Sequence, residues 1–118
     1  MGRSKPATLA QAVRFDALFS LGCIACWIKR RKWVAPEMDH RNTGDLAGMK
    51  RTAGGHDDTI PLCCWHHRAI PFEGWTEPAT REWAGPSKHG QKRAFLAEFG
   101  SIQHLADLTA AALERGRW

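Results

Sequence analysis

A chain of 118 residues with 43% hydrophobic content supports one modest core, so a single domain over residues 1–118 is expected and a two-domain arrangement is excluded. Lys and Arg number 17 against 12 Asp and Glu, a net charge of +5 that favours polyanionic partners through counterion release. No apolar run is expected to reach across a bilayer and the N-terminus lacks a hydrophobic leader, which argues against a membrane partner and for a cytoplasmic protein.

In chain order, residues 1 to 7 read as a loose tail. Thr8-Leu9-Ala10-Gln11 has the form of a capping box, predicting a helix that carries Phe15, Leu18 and Phe19 into the core and stops at Gly22. Cys23-Ile24-Ala25-Cys26 follows on a tight turn. From Trp33 to His40 the alternation of Val34, Pro36 and Met38 with polar neighbours predicts a short strand, confined by Pro36 to a sheet edge. Residues 41–58 lack periodicity and are rich in Gly, Thr and Asp, which predicts a long functional loop. Thr59-Ile60-Pro61-Leu62 is a second extended piece, and Trp65-His66-His67-Arg68 opens a helix. The stretch from Pro71 to Pro86 reads as irregular surface structure. Gln91 to Phe99 reads as a helix stopped by Gly100, and a last helix runs from about Ser101 to Arg115 with Ile102, Leu105, Leu108 and Leu113 facing inward.

The chemistry-bearing residues fall into two constellations. Cys23-x-x-Cys26 and Cys63-x-x-His66 are two hooks of the spacing that tetrahedral zinc uses, and together they predict a closed structural site. With 4 Cys and 6 His in a reducing compartment, metal binding is the expectation rather than disulfides. Cys64 has the wrong spacing to His66 and is expected to be a small buried apolar residue.

The second constellation is what the zinc leaves over. Asp39 and His40 end the first strand, His67 is tied to the zinc hook, and His56-Asp57-Asp58 lies in the loop. If the two strands form a hairpin, Asp39 and His40 return toward His67. Phosphodiester hydrolysis needs an activated water and a charge sink, for which a neutral His and a divalent cation on Asp and His are suited. His40 is therefore expected as general base, with Asp39 and His67 as ligands of a catalytic magnesium or manganese ion.

The basic residues form two groups. Lys29-Arg30-Arg31-Lys32 sits beside Trp27 and Trp33, and Lys88, Lys92 and Arg93 form a second segment. Both are candidate DNA phosphate contacts, with a merely solvated basic face as the bland alternative.

These residues resemble the HNH (ββα-metal) nucleases, whose fold is a β-hairpin and helix gripping one catalytic metal. The resemblance rests on Cys23-x-x-Cys26, on Glu37-Met38-Asp39-His40, and on the run from Thr59 through Leu62, Cys63, His66 and His67 to Arg68. With Lys88-His89-Gly90 and the Phe95 to Gly100 segment, the chain is similar to phage recombination-enhancement (Ref-type) nucleases. The resemblance covers roughly residues 20 to 105 and implies an α+β fold: a zinc-stapled HNH core over about 20–70, a helical part over about 88–115, and long loops. It also implies a RecA filament as partner and a bacterial host cell. The base-orienting Asn of the HNH pattern is absent, Asp58 or Thr59 standing in its place, and His89 is an additional candidate metal ligand.

Two other functions compete. A non-catalytic zinc-stabilised DNA-binding module would use the same four zinc ligands and the Lys29 to Lys32 run, and does not account for Asp39, His40 and His67. A protein-interaction adaptor would use the Trp-rich segment around Trp65, Trp75 and Trp83.

Overall fold

The computed structural model describes residues 9–40 and 59–118. Within them the elements run α1 (Leu9–Leu21), α2 (Ile24–Arg30), β1 (Glu37–His40), β2 (Thr59–Leu62), α3 (Cys64–Arg68), α4 (Glu77–Ala84), α5 (Lys92–Phe99) and α6 (Ile102–Arg115). The architecture is a small α+β arrangement in which helices surround one two-stranded antiparallel sheet. The cap at Thr8, the loop 41–58 and its His56-Asp57-Asp58 lie outside the described residues.

The sheet has the register Glu37 opposite Leu62, Met38 opposite Pro61, Asp39 opposite Ile60 and His40 opposite Thr59. The expected strand from Trp33 is shorter than predicted: only Glu37–His40 pairs, and Pro36 lies buried just before it. Every residue of β2 is buried, because α1, α2 and α6 all pack against this strand. The order strand, strand, helix (β1, β2, α3) is the one expected, and it brings the end of α3 back beside β1.

The buried cluster contains Cys23, Ile24, Cys26, Ile60, Leu62, Cys63, Trp65, Phe95, Phe99 and Leu105, so the two cysteine hooks lie inside the main core. A smaller cluster joins Leu18 and Leu21 of α1 to Ala112 of α6, closed by the Trp118 indole donating to the Leu21 carbonyl at 2.7 Å.

Several expectations need correction. Phe19 is 50% exposed and packs edge-on against Trp33 instead of entering the core. Leu108 is 37% exposed, so the inner face of α6 runs through Ile102, Leu105, Thr109 and Ala112. The stretch 71–86 is not wholly irregular: Thr76 caps α4 by accepting from the Ala79 amide, Pro78 occupies its first turn, and Glu77 pairs with Arg81 one turn on. Trp65, which only the competing adaptor reading would place on a contact surface, is buried with its indole donating to the Gly85 carbonyl at 2.8 Å.

By length and composition, Leu9–Arg30 is apolar enough to cross a membrane, contrary to the expectation that no stretch approaches that length. In the fold it is two helices broken at Gly22 and Cys23, and Cys23 and Cys26 lie in the core.

The break at Gly22 sets the first hook. Its φ is +82°, and a Cβ there would lie 2.5 Å from Trp33 Cδ1. Next to it, the Cys23 amide donates to the Val34 carbonyl at 2.9 Å. Gly22→Ala therefore meets both a left-handed backbone and an occupied space. We expect a loss of about 2 to 4 kcal/mol, combining overpacking with the unfavourable conformation. This corresponds to a fall in Tm of roughly 10 °C, readable by thermal denaturation of the zinc-loaded protein.

Candidate metal centre and the carboxylate pair beside it

Each hook is a helix N-cap. Cys23 precedes α2 in extended conformation and its sulfur accepts from the Cys26 amide at 3.4 Å, while Cys63 precedes α3 and its sulfur accepts from the His66 amide at 3.5 Å. A cysteine at an N-cap places its sulfur over the first turn, where the side chain three residues on also points. The tight turn expected at the first hook is thus the start of a helix.

The two caps face each other. Cys23, Cys26, Cys63 and His66 are all buried, and their ligand atoms lie within 4.8 Å of one another. Cys26 and Cys63 sulfurs are 3.7 Å apart, and His66 Nδ1 lies 3.4, 3.6 and 3.3 Å from the sulfurs of Cys23, Cys26 and Cys63. Zinc bound tetrahedrally, with sulfur at about 2.3 Å and nitrogen at about 2.0 Å, has edges of about 3.8 Å between sulfurs and 3.5 Å between sulfur and nitrogen. The cluster fits that size.

The imidazole is also in the right tautomer. His66 Nε2 lies 2.8 Å from the Ala84 carbonyl, which can only accept, so Nε2 carries the hydrogen and Nδ1 turns a lone pair on the sulfurs. Phe99 stacks edge-on against the same ring at 5.3 Å. The carbonyl of Ala84 closes α4, the helix that sequence reasoning missed; its Thr-x-Pro start and Glu77–Arg81 spacing were the available signal.

Cys23 and Cys26 are pushed in opposite directions. Burial opposes charge at Cys23, yet hydrogen bonds from the Cys26 and Cys63 thiols outweigh it and hold Cys23 well below the ordinary thiol value. The hydrogen bonds to Cys23 and Cys63, together with burial, push Cys26 far above that value. A buried cation relieves this conflict by letting several sulfurs be thiolates at once. Cys64 is only partly buried and stands outside the cluster; burial, then its neighbour Cys63, raises its thiol value.

Next to this cluster, α3 and β1 form a second group. His67 Nε2 lies 3.3 Å from Asp39 Oδ1, and His67 Nδ1 lies 2.9 Å from Glu37 Oε1. Glu37 is also gripped by both arms of the Arg68 guanidinium, and that contact, against the opposing effect of burial and with a lesser contribution from His67, holds its carboxyl below the usual carboxylate range. The other oxygen of Asp39 accepts from Lys88 Nζ at 2.7 Å. Lys88 is itself stitched to the metal cluster, since its amide and the Ser87 hydroxyl both donate to the His66 carbonyl. The structure therefore brings Asp39 and His67 together as expected, and adds Glu37, to which sequence reading assigned no role, and Lys88, which it read as a DNA phosphate contact and which instead pairs with Asp39. His40 closes β1 next to Asp39. His89 is exposed in the turn after Lys88 and takes no part in the buried cluster.

The basic run is divided by the fold. Lys29 pairs with Glu98 at 2.6 Å, Arg30 donates to the Trp83 carbonyl at 2.7 Å with its guanidinium over the Trp83 ring, and Arg31 lies over Trp27. Lys32, and Lys92 and Arg93 on the first turn of α5, are exposed.

The fold and site thus define a small α+β protein built around a Cys3His cluster that can hold a metal such as zinc. The model of a family described as recombination enhancement, RecA-dependent nuclease matches residues 7–113, and the chain belongs to that family. The family name denotes a nuclease, a hydrolase, tied to recombination. A comparison with curated proteins gave no match.

Proposed function

We propose that the chain is a metal-dependent DNA endonuclease of the HNH (ββα-metal) type, acting as one domain on DNA paired by a RecA filament. The observation that carries this reading is the approach of Asp39 and His67 to 3.3 Å across β1 and α3, one residue from the zinc-type hook. At this distance the ring nitrogen and the carboxylate oxygen can share a hydrogen or a cation. Zinc is held by Cys23, Cys26, Cys63 and His66, and fixes the start of α3 so that His67 cannot drift. Asp39 and His67 hold magnesium or manganese, a hard ion that takes one or two protein ligands and keeps its waters. When bound, that ion supplies a charge sink for the leaving oxygen of the phosphodiester. His40, adjacent to Asp39, takes the proton from the attacking water. Lys32, Lys92 and Arg93 offer exposed charge to the phosphate backbone, while Lys29 and Arg30 are engaged by Glu98 and Trp83 and Arg31 lies over Trp27. Lys88, paired with Asp39, supplies positive charge nearest the reacting phosphate.

The family assignment supports the recombination link and the RecA partner. The phage connection, and with it the cytoplasm of a bacterial host, rests on the Ref-type resemblance. The test is nicking of supercoiled and single-stranded DNA by the purified chain, with and without a RecA filament, in magnesium, in manganese and in chelator. Cleavage that needs added divalent metal is the expected result. DNA binding with no cleavage under any of these conditions would instead make the chain a zinc-stabilised binding module.

A further inference from the structure

We infer that Glu37 is a positioning residue that aims His67 at the catalytic metal, an inference that rests on Asp39 and His67 being that metal's ligands. A histidine can present either ring nitrogen to a cation, and the nitrogen it presents is set by what holds the other one. Here Glu37 Oε1 lies 2.9 Å from His67 Nδ1, on the far side of the ring from Asp39. A carboxylate only accepts, so Glu37 takes the Nδ1 hydrogen, and Nε2 is the nitrogen turned to Asp39 Oδ1 at 3.3 Å, where ring and carboxylate share either a hydrogen or a cation. Both partners of the ring come from one strand: Glu37 and Asp39 are two residues apart on β1, so the strand alternation puts them on the same face.

Glu37 is in turn fixed. Arg68, the residue after His67 on α3, reaches both of its oxygens. The bidentate grip removes the freedom of the carboxylate to swing away from the ring. The chain of contact therefore runs from Arg68 to Glu37 to His67 to Asp39. Because Arg68 is solvent-exposed, the Glu37 contact to the ring is the element whose loss matters most.

The experiment measures manganese binding, with no DNA present, by electron paramagnetic resonance titration of the zinc-loaded full chain at fixed pH. Glu37→Ala is expected to weaken manganese binding by about tenfold to a hundredfold, the usual effect of losing a partner of a ligating histidine. Zinc content and melting, measured on the same samples, should be those of the wild type, which a merely structural role would not give. Asp39→Ala and His67→Ala serve as references and should abolish binding. If Glu37→Ala binds manganese like the wild type while the two references do not, Glu37 is no positioning residue and the metal site stands. If the references themselves bind normally, the metal-site reading falls and takes this inference with it. Should Glu37→Ala lose zinc, Glu37→Met decides: it keeps much of the volume but has no oxygen to accept the Nδ1 hydrogen, and affinity equal to wild type overturns the proposal.

Discussion

Cys63→Ser is expected to leave the chain unfolded and free of stoichiometric zinc. Cys63 is fully buried, and its sulfur both belongs to the metal cluster and caps α3. Serine is a good N-cap, so the substitution preserves the cap while removing a thiolate ligand. A structural zinc site contributes about 10 kcal/mol or more, against a total stability of about 5 to 15 kcal/mol for a domain of ordinary size. Losing much of that contribution consumes the margin, the more so because the hooks lie inside the main core instead of on its edge. Circular dichroism and elemental analysis of wild type and variant check this. A variant that melts cooperatively at the wild-type temperature would show that the cluster does not hold the fold.

His40→Ala is expected to reduce cleavage by about a hundredfold to ten-thousandfold, the range for loss of general-base action. Zinc content and DNA affinity should be close to those of wild type. The residue stands at the end of β1, next to Asp39 and opposite Thr59, and is none of the four residues of the Cys3His cluster. Single-turnover cleavage rates at saturating metal separate this from a binding defect. Near wild-type cleavage would mean that another group activates the water.

The Cys3His cluster was legible in the sequence because its information is local: two four-residue hooks, each read without knowledge of the fold, need only one tertiary contact to meet. The hairpin followed by a helix was legible for the same reason, since β1, β2 and α3 carry short extended runs followed by a helix start. What the sequence hid depends on distant pairing. Glu37 looked like one strand residue among four until the sheet register turned it toward His67. Lys88 read as a DNA contact because nothing nearby in the chain suggests Asp39, 49 residues away, as its partner. Arg30 likewise looked like free charge, yet it is spent on the Trp83 carbonyl and ring. Helix α4 was overlooked because Pro71, Pro86, Gly74 and the tryptophans at 75 and 83 obscured a valid start at Thr76 and Pro78. Phe19 and Leu108 show the limit of periodicity: a helical stripe says which face is apolar, and the neighbours decide how much of it is covered.

The central claim is that one chain holds two metals with different duties, zinc for the fold and a second ion for the reaction. Metal content and DNA nicking, measured together on protein treated with a mild chelator, test it most directly. The account predicts that about one zinc per chain survives the treatment, that cleavage is lost, and that magnesium or manganese alone restores it. Cleavage persisting undiminished in protein that carries zinc and no other divalent ion would contradict the account.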